Sequence, residues 1–164
     1  MSTRFRLLAF TAFAALVLSA CNNPMRPRQE LDVFCKALGV TENDPGLRAS
    51  HAAQMAAIQE QLRQAKVTPD FAKLVKLATP LHPTEIHDAL QGYADIKGIK
   101  YSCTKMQQQR RRRDVEKQER LKKVREDGGD EEDLAAAALD PTYKAPFDVK
   151  AVKAKVDAHL QSLR

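Results

Sequence analysis

Glu30-Leu31-Asp32-Val33-Phe34-Cys35-Lys36-Ala37-Leu38-Gly39 decides the fold class. Leu31, Phe34, Cys35 and Leu38 stand at i, i+3, i+4 and i+7, which lines up one face of an α-helix, and Gly39 follows as a stop signal. A second cysteine lies on a similar face, with Ile99, Cys103 and Met106 at i, i+4 and i+7. Between the two cysteines the punctuation is that of short helices. Asp44 and Pro45 form a cap and first-turn pair, and the helix they open is expected to run to Lys66 with Leu47, Met55, Ile58, Leu62 and Ala65 inward. Thr68 and Pro69 repeat the signal ahead of Phe71, Leu74, Val75 and Ala78, and Pro80 ends that helix. Pro83 opens a fourth with Ile86, Ala89, Leu90 and Tyr93 inward and Gly98 as its stop. A fifth is expected to begin near Ile99 and carry Cys103.

Composition agrees with an all-α chain. Tryptophan is absent and aromatic residues make up 5%, so strand formers are scarce. Residues 30–106 are therefore expected to form a small helical bundle domain. The chain then changes character. No apolar residue stands between Met106 and Val115, and the run Gln107-Gln108-Gln109-Arg110-Arg111-Arg112-Arg113 is expected to project into solvent as part of a charged helix over 107–127. Val115, Leu121 and Val124 make only a weak coiled-coil seam. Gly128-Gly129 breaks this helix. The segment 128–146 reads as a linker holding a short acidic helix that starts after Asp130 and reaches Leu139. Residues 147–164 form a C-terminal amphipathic helix capped by Asp148, with Val149, Val152, Val156, Leu160 and Leu163 on one stripe. That stripe packs either on the bundle or on a partner or membrane surface.

The first 20 residues carry an address. Arg4 and Arg6 precede an uncharged run from Leu7 to Leu18, too short for the roughly 20 residues that span a bilayer. Small residues Ser19 and Ala20 then mark a processing site, the pattern of a cleavable secretory signal. Leu18-Ser19-Ala20-Cys21 resembles the lipobox of bacterial lipoproteins. That resemblance implies removal of residues 1–20 and a diacylglyceryl thioether plus an N-acyl (palmitate) group on Cys21. Several chains on one residue give stable anchoring. With Asn22 after the cysteine, the resemblance also implies sorting to the outer membrane, with the domain in the periplasm. Residues 21–29, with two prolines and no periodicity, read as the tether.

Given that assignment of Cys21, Cys35 and Cys103 are the remaining cysteines of three, an even pair in an oxidising compartment. A structural disulfide between them is expected, joining the first helix of the bundle to its last. Lacking a Cys-x-x-Cys motif, the pair is not read as a redox centre.

Charge limits the partners. The formal net charge is +6, and without the signal arginines 25 basic residues face 21 acidic, too even for a general polyanion binder. Locally the blocks are stronger. Residues 105–125 carry ten basic side chains against three acidic, and residues 126–133 carry six acidic and no basic ones. The basic face either folds back on the acidic segment or uses Arg110, Arg111, Arg112 and Arg113 to contact anionic lipid, lipopolysaccharide or an acidic protein. Nucleic acid is not expected, since no aromatic residue interleaves the arginines.

Chemistry is sparse. His51 and His159 stand on or beside apolar stripes. The order His82-x-x-Glu85-x-His87 matches no zinc-hydrolase spacing, and neither a nucleophile elbow nor a phosphate loop is present. No metal, cofactor or catalytic residue is assigned, and an enzyme is not expected. Two readings follow: a structural or adaptor lipoprotein of the envelope, or an inhibitor or immunity lipoprotein against a periplasmic toxin or hydrolase.

Overall fold

A computed structural model describes residues 25–146 and 148–164. The lipobox, Cys21 and most of the expected tether lie outside the described residues. Every regular element among the described residues is helical, eight in all: α1 (Pro27–Glu42), α2 (Pro45–Arg48), α3 (His51–Gln64), α4 (Pro69–Ala78), α5 (Pro83–Ile96), α6 (Thr104–Glu126), α7 (Glu131–Ala138) and α8 (Val149–Ser162).

Local chemistry places the helix starts. Four of them open on proline, whose missing N–H costs nothing at that position. Asp44 accepts from the N–H groups of Gly46 and Leu47 at 2.9 and 3.2 Å, and Thr68 caps Phe71. Gly98 and Gly128 end α5 and α6 in left-handed conformation, φ +66° and +76°. After each, the next N–H reaches back five residues, Ile99 to the Ala94 carbonyl and Gly129 to that of Val124, both at 2.8 Å. This is the Schellman closure.

The core gathers Leu31, Phe34 and Leu38 of α1, Met55, Ile58 and Leu62 of α3, Phe71 and Leu74 of α4, and Ile86, Leu90 and Tyr93 of α5. Helix α1 is central, packing on α3, α5 and α6. Cys35 and Cys103 are bridged, with Cα atoms 5.7 Å apart, the pairing expected of the two remaining cysteines. Helix α8 packs on α4 and α5, burying Val156 and His159. The apolar stripe of this helix is thus covered by the protein itself.

Four sequence expectations are corrected. First, α1 does not stop at Gly39 but spans Pro27–Glu42, so Pro27 onwards is helix and not tether. Glycine costs a helix interior only about 0.5–1 kcal/mol, and here its missing side chain admits the Lys105 stem, which an added Cβ would meet at 3.2–3.4 Å. Second, the helix expected from Asp44 to Lys66 is two, because the Ser50 hydroxyl recaps the chain at Ala53 N. Leu47 is consequently only half-buried. Third, residues 99–103 are not helical, and α6 starts at Thr104 with Cys103 as its cap residue. The bundle boundary drawn after residue 106 falls inside this continuous helix. Fourth, the glutamine and arginine run is not wholly in solvent: Gln109 is 5% exposed and the Arg113 side chain 12%. Long polar side chains enter an interior when carboxylates meet them there.

Candidate functional site

The root of α6 gathers the polar residues of greatest chemical interest. Helix α6 leaves the disulfide, runs along α1 and continues past its end. Where α1 ends, Glu42 gathers three donors. Its Oε1 accepts from Gln54 Nε2 at 2.7 Å and Gln109 Nε2 at 2.6 Å, and its Oε2 from Arg112 Nη2 at 2.7 Å. Gln109 also donates to Gln54 Oε1 at 3.1 Å. A carboxylate held by one guanidinium and two amides is satisfied on both oxygens, the condition for a half-buried charge to persist.

The next residue, Arg113, fixes the segment that returns from α7. Its guanidinium pairs with Asp140 and donates to Thr142 Oγ1 at 3.0 Å. The other oxygen of Asp140 accepts from the N–H and hydroxyl of Thr142 at 2.9 and 2.7 Å, a local turn closed by the side chain. His51 N donates to the Thr142 carbonyl at 2.9 Å. The Tyr143 ring stands edge-on to His51 and His82, with centroids 5.4 and 5.1 Å away, and its hydroxyl donates to the Pro80 carbonyl at 3.0 Å. Residues 140–143, within the segment read as a linker, therefore form a strap across the bundle.

The surroundings of the two histidines under this strap disfavour their charged form. Burial lowers the pKa of His51, with the Arg113 charge and His82 adding to it against the hydrogen bond that the Thr79 carbonyl accepts from its ring. Burial and then Arg113 lower that of His82. The Nδ1 of His82 lies 2.9 Å from the Thr84 hydroxyl and caps α5, so the ring presents Nε2 to Asp140 at 3.7 Å. Arg113 itself is lowered by burial.

Between the start of α5 and the outer side of α6 lies a cleft of 240 Å³, walled by His82, Thr84, His87 and Arg110 over Pro83 and Met106. Arg110 and Arg111 are exposed, and among the described residues neither has a carboxylate within ion-pair distance, in contrast to Arg112 and Arg113. The four arginines thus divide into two internal locks and two free cations. No group of three or more His, Cys, Asp or Glu side chains among the described residues is arranged to hold a metal ion.

The expected folding of basic helix onto acidic block occurs with different partners. Helices α6 and α7 pack as a hairpin, yet the contacts are Arg120 to the carbonyls of Ala137 and Leu139 at 3.2 and 3.1 Å and Arg113 to Asp140. Glu131, Glu132 and Asp133 sit instead in the first turn of α7, where they complement the helix dipole.

At the other end of α1, Glu30 is fully buried, accepting from the Tyr93 hydroxyl at 2.6 Å and from Thr68 N at 2.7 Å. Burial and this carboxylate push the Tyr93 phenol up. Glu30, Glu42, Asp140 and Tyr143 were not singled out in the sequence. Apart from Thr142 beside Asp140, their side-chain partners stand 12 to 92 residues away along the chain, so no local spacing marks them. No family profile, curated protein or solved structure matches the chain.

Proposed function

We propose that this chain is a non-enzymatic adaptor lipoprotein of the bacterial envelope, held in the outer membrane by lipid on Cys21 and presenting the α6–α7 hairpin to a protein partner in the periplasm. The observation that carries the reading is the 23-residue helix α6, fixed at its root by the disulfide and by Glu42 and free of the bundle beyond Arg113. A helix rises about 1.5 Å per residue. The 16 residues of α1 thus separate the anchored end from the arm root by roughly 24 Å, and the residues after Arg113 extend roughly 20 Å more. Such a distance from the anchor favours a protein partner over the headgroups of the anchoring leaflet, and the ion pairs of Arg112 and Arg113 narrow the contact arginines to Arg110 and Arg111. The second reading, an inhibitor or immunity lipoprotein, rests on the cleft beside Arg110, which suits insertion of a target's side chain.

Two measurements test the adaptor reading. Metabolic labelling with a palmitate analogue should mark the wild type and not Cys21→Ser; an unlabelled wild type removes the anchor from the proposal. In an affinity pull-down from membranes, a partner of the arm should be lost with Arg110→Gln/Arg111→Gln and lost in high salt, because exposed charges are screened. A partner kept in both conditions would overturn the arm's role and favour the inhibitor.

A further inference from the structure

The cleft between α5 and α6 has the chemistry of a socket for one particular kind of side chain. Its 240 Å³ falls below the roughly 300–1,000 Å³ of small-molecule sites, and suits a single large residue. Pro83 and Met106 lie beneath it; Met106, whose sulfur accepts from the Tyr101 hydroxyl at 3.8 Å, is a side chain that adapts its shape and favours aromatic rings. The His82 and His87 rings and the Arg110 guanidinium, whose flat face stacks on aromatic systems, stand around it. Arg110 is the uncompensated cation at the rim. The start of α5, a 14-residue helix, adds positive potential on the same side, where the Thr84 N–H makes only a 3.4 Å bond to His82 Nδ1. Arg113 also lines the cleft, but its charge is met by Asp140. Asp114, exposed one turn beyond Arg110, is the opposing charge, and the two form no ion pair within 4 Å among the described residues.

We infer that this socket binds an aromatic residue of a partner protein that has a carboxylate directly beside it, the ring over Met106 and the carboxylate on Arg110. The inference rests on the reading of this chain as a partner-binding lipoprotein, adaptor or inhibitor, and names the chemistry that partner presents.

The test uses the full chain in detergent with methyl-labelled methionine, so that Met106 reports the cleft and Met25 serves as the control. N-acetyl-phenylalanine, its primary amide and N-acetyl-alanine are titrated separately. Saturable movement of the Met106 methyl with the aromatic acid is expected in the millimolar range. The amide should bind about threefold to fivefold more weakly, as one exposed charge contact allows, and N-acetyl-alanine should give no saturable shift. Arg110→Gln should erase the difference between acid and amide, and Asp114→Asn should tighten the acid about twofold. Both side chains are exposed on α6, so the variants keep the fold. An unmoved Met106, equal binding of acid and amide, or an Arg110→Gln variant that still prefers the acid would overturn the inference. Probe binding does not depend on lipid attachment, so this test and the palmitate test fail separately.

Discussion

Replacing Glu42 with alanine would remove the acceptor that holds α6 to α1. The Glu42 side chain is 13% exposed and Arg112 27%, so the pair is half-buried, and three donors converge on it at 2.6–2.7 Å. Hydrogen bonds to a charged group contribute about 1.5–3 kcal/mol each, but the three do not add. After the substitution Gln54 and Gln109 still hold each other, and Arg112 still reaches Glu116 at 3.3 Å. Solvent at the open edge compensates part of the remainder. The expected loss is therefore about 2–3 kcal/mol, below the 3–5 kcal/mol of a fully buried pair that loses one partner. Urea unfolding followed by helical circular dichroism reads this as a midpoint lower by about 1–2 M. Hydrogen exchange should also rise over residues 106–113 before it rises in α4. A loss under about 0.5 kcal/mol, in the range of ordinary surface substitutions, would refute the assignment of Glu42 as the lock.

Two further outcomes are expected. Reducing the Cys35–Cys103 bridge opens a loop closed over 68 residues, which the chain-entropy relation converts to about 4 kcal/mol; a change below about 1 kcal/mol in urea unfolding with and without reductant would contradict that role. Acid should destabilise the strap. His51 and His82 have lowered pKa values in the folded chain, so the unfolded chain takes up protons first as pH falls through about 6.5. Stability should then be greatest above that pH and decline below it, by at most about 1.4 kcal/mol per pH unit for each histidine. The double variant His51→Asn/His82→Asn should flatten the slope between pH 7 and 5.5; an equal slope in variant and wild type would show that other groups titrate.

Helix starts were legible because each is written in adjacent residues. Thr68-Pro69, Asp130 and Asp148 cap the helices they announced, Asp44-Pro45 caps only the first piece of the helix expected to reach Lys66, and Gly98 ends α5. Legibility failed where a distant partner decides. Gly39 reads locally as a stop and is instead a place for Lys105 to pass. Ile99, Cys103 and Met106 share an apolar face in a helical projection, yet after the left-handed Gly98 residues 99–103 are not helical, and Cys103 reaches the core as a cap residue. The lock at Glu42 was invisible for the same reason, since Gln109 and Arg112 carry no apolar mark and their partner stands 67 and 70 residues earlier.

The four consecutive arginines show why a run of like charge need not act as one patch. Successive residues of a helix turn through about 100°, so four in a row point in every direction, and a helix that packs at its root must turn some of them inward. Helix α6 does so with Arg112 and Arg113, each opposite a carboxylate, Glu42 and Asp140, while Arg110 faces the cleft and Arg111 the solvent. Exchanging all four for glutamine would therefore unlock the arm and strip its contact charge in one step. Loss of a partner in that variant would say nothing about contact. The informative comparison sets Arg110→Gln/Arg111→Gln against Arg112→Gln/Arg113→Gln: the first should weaken binding with unchanged urea stability, and the second should lower stability first, with any loss of binding following from a detached arm.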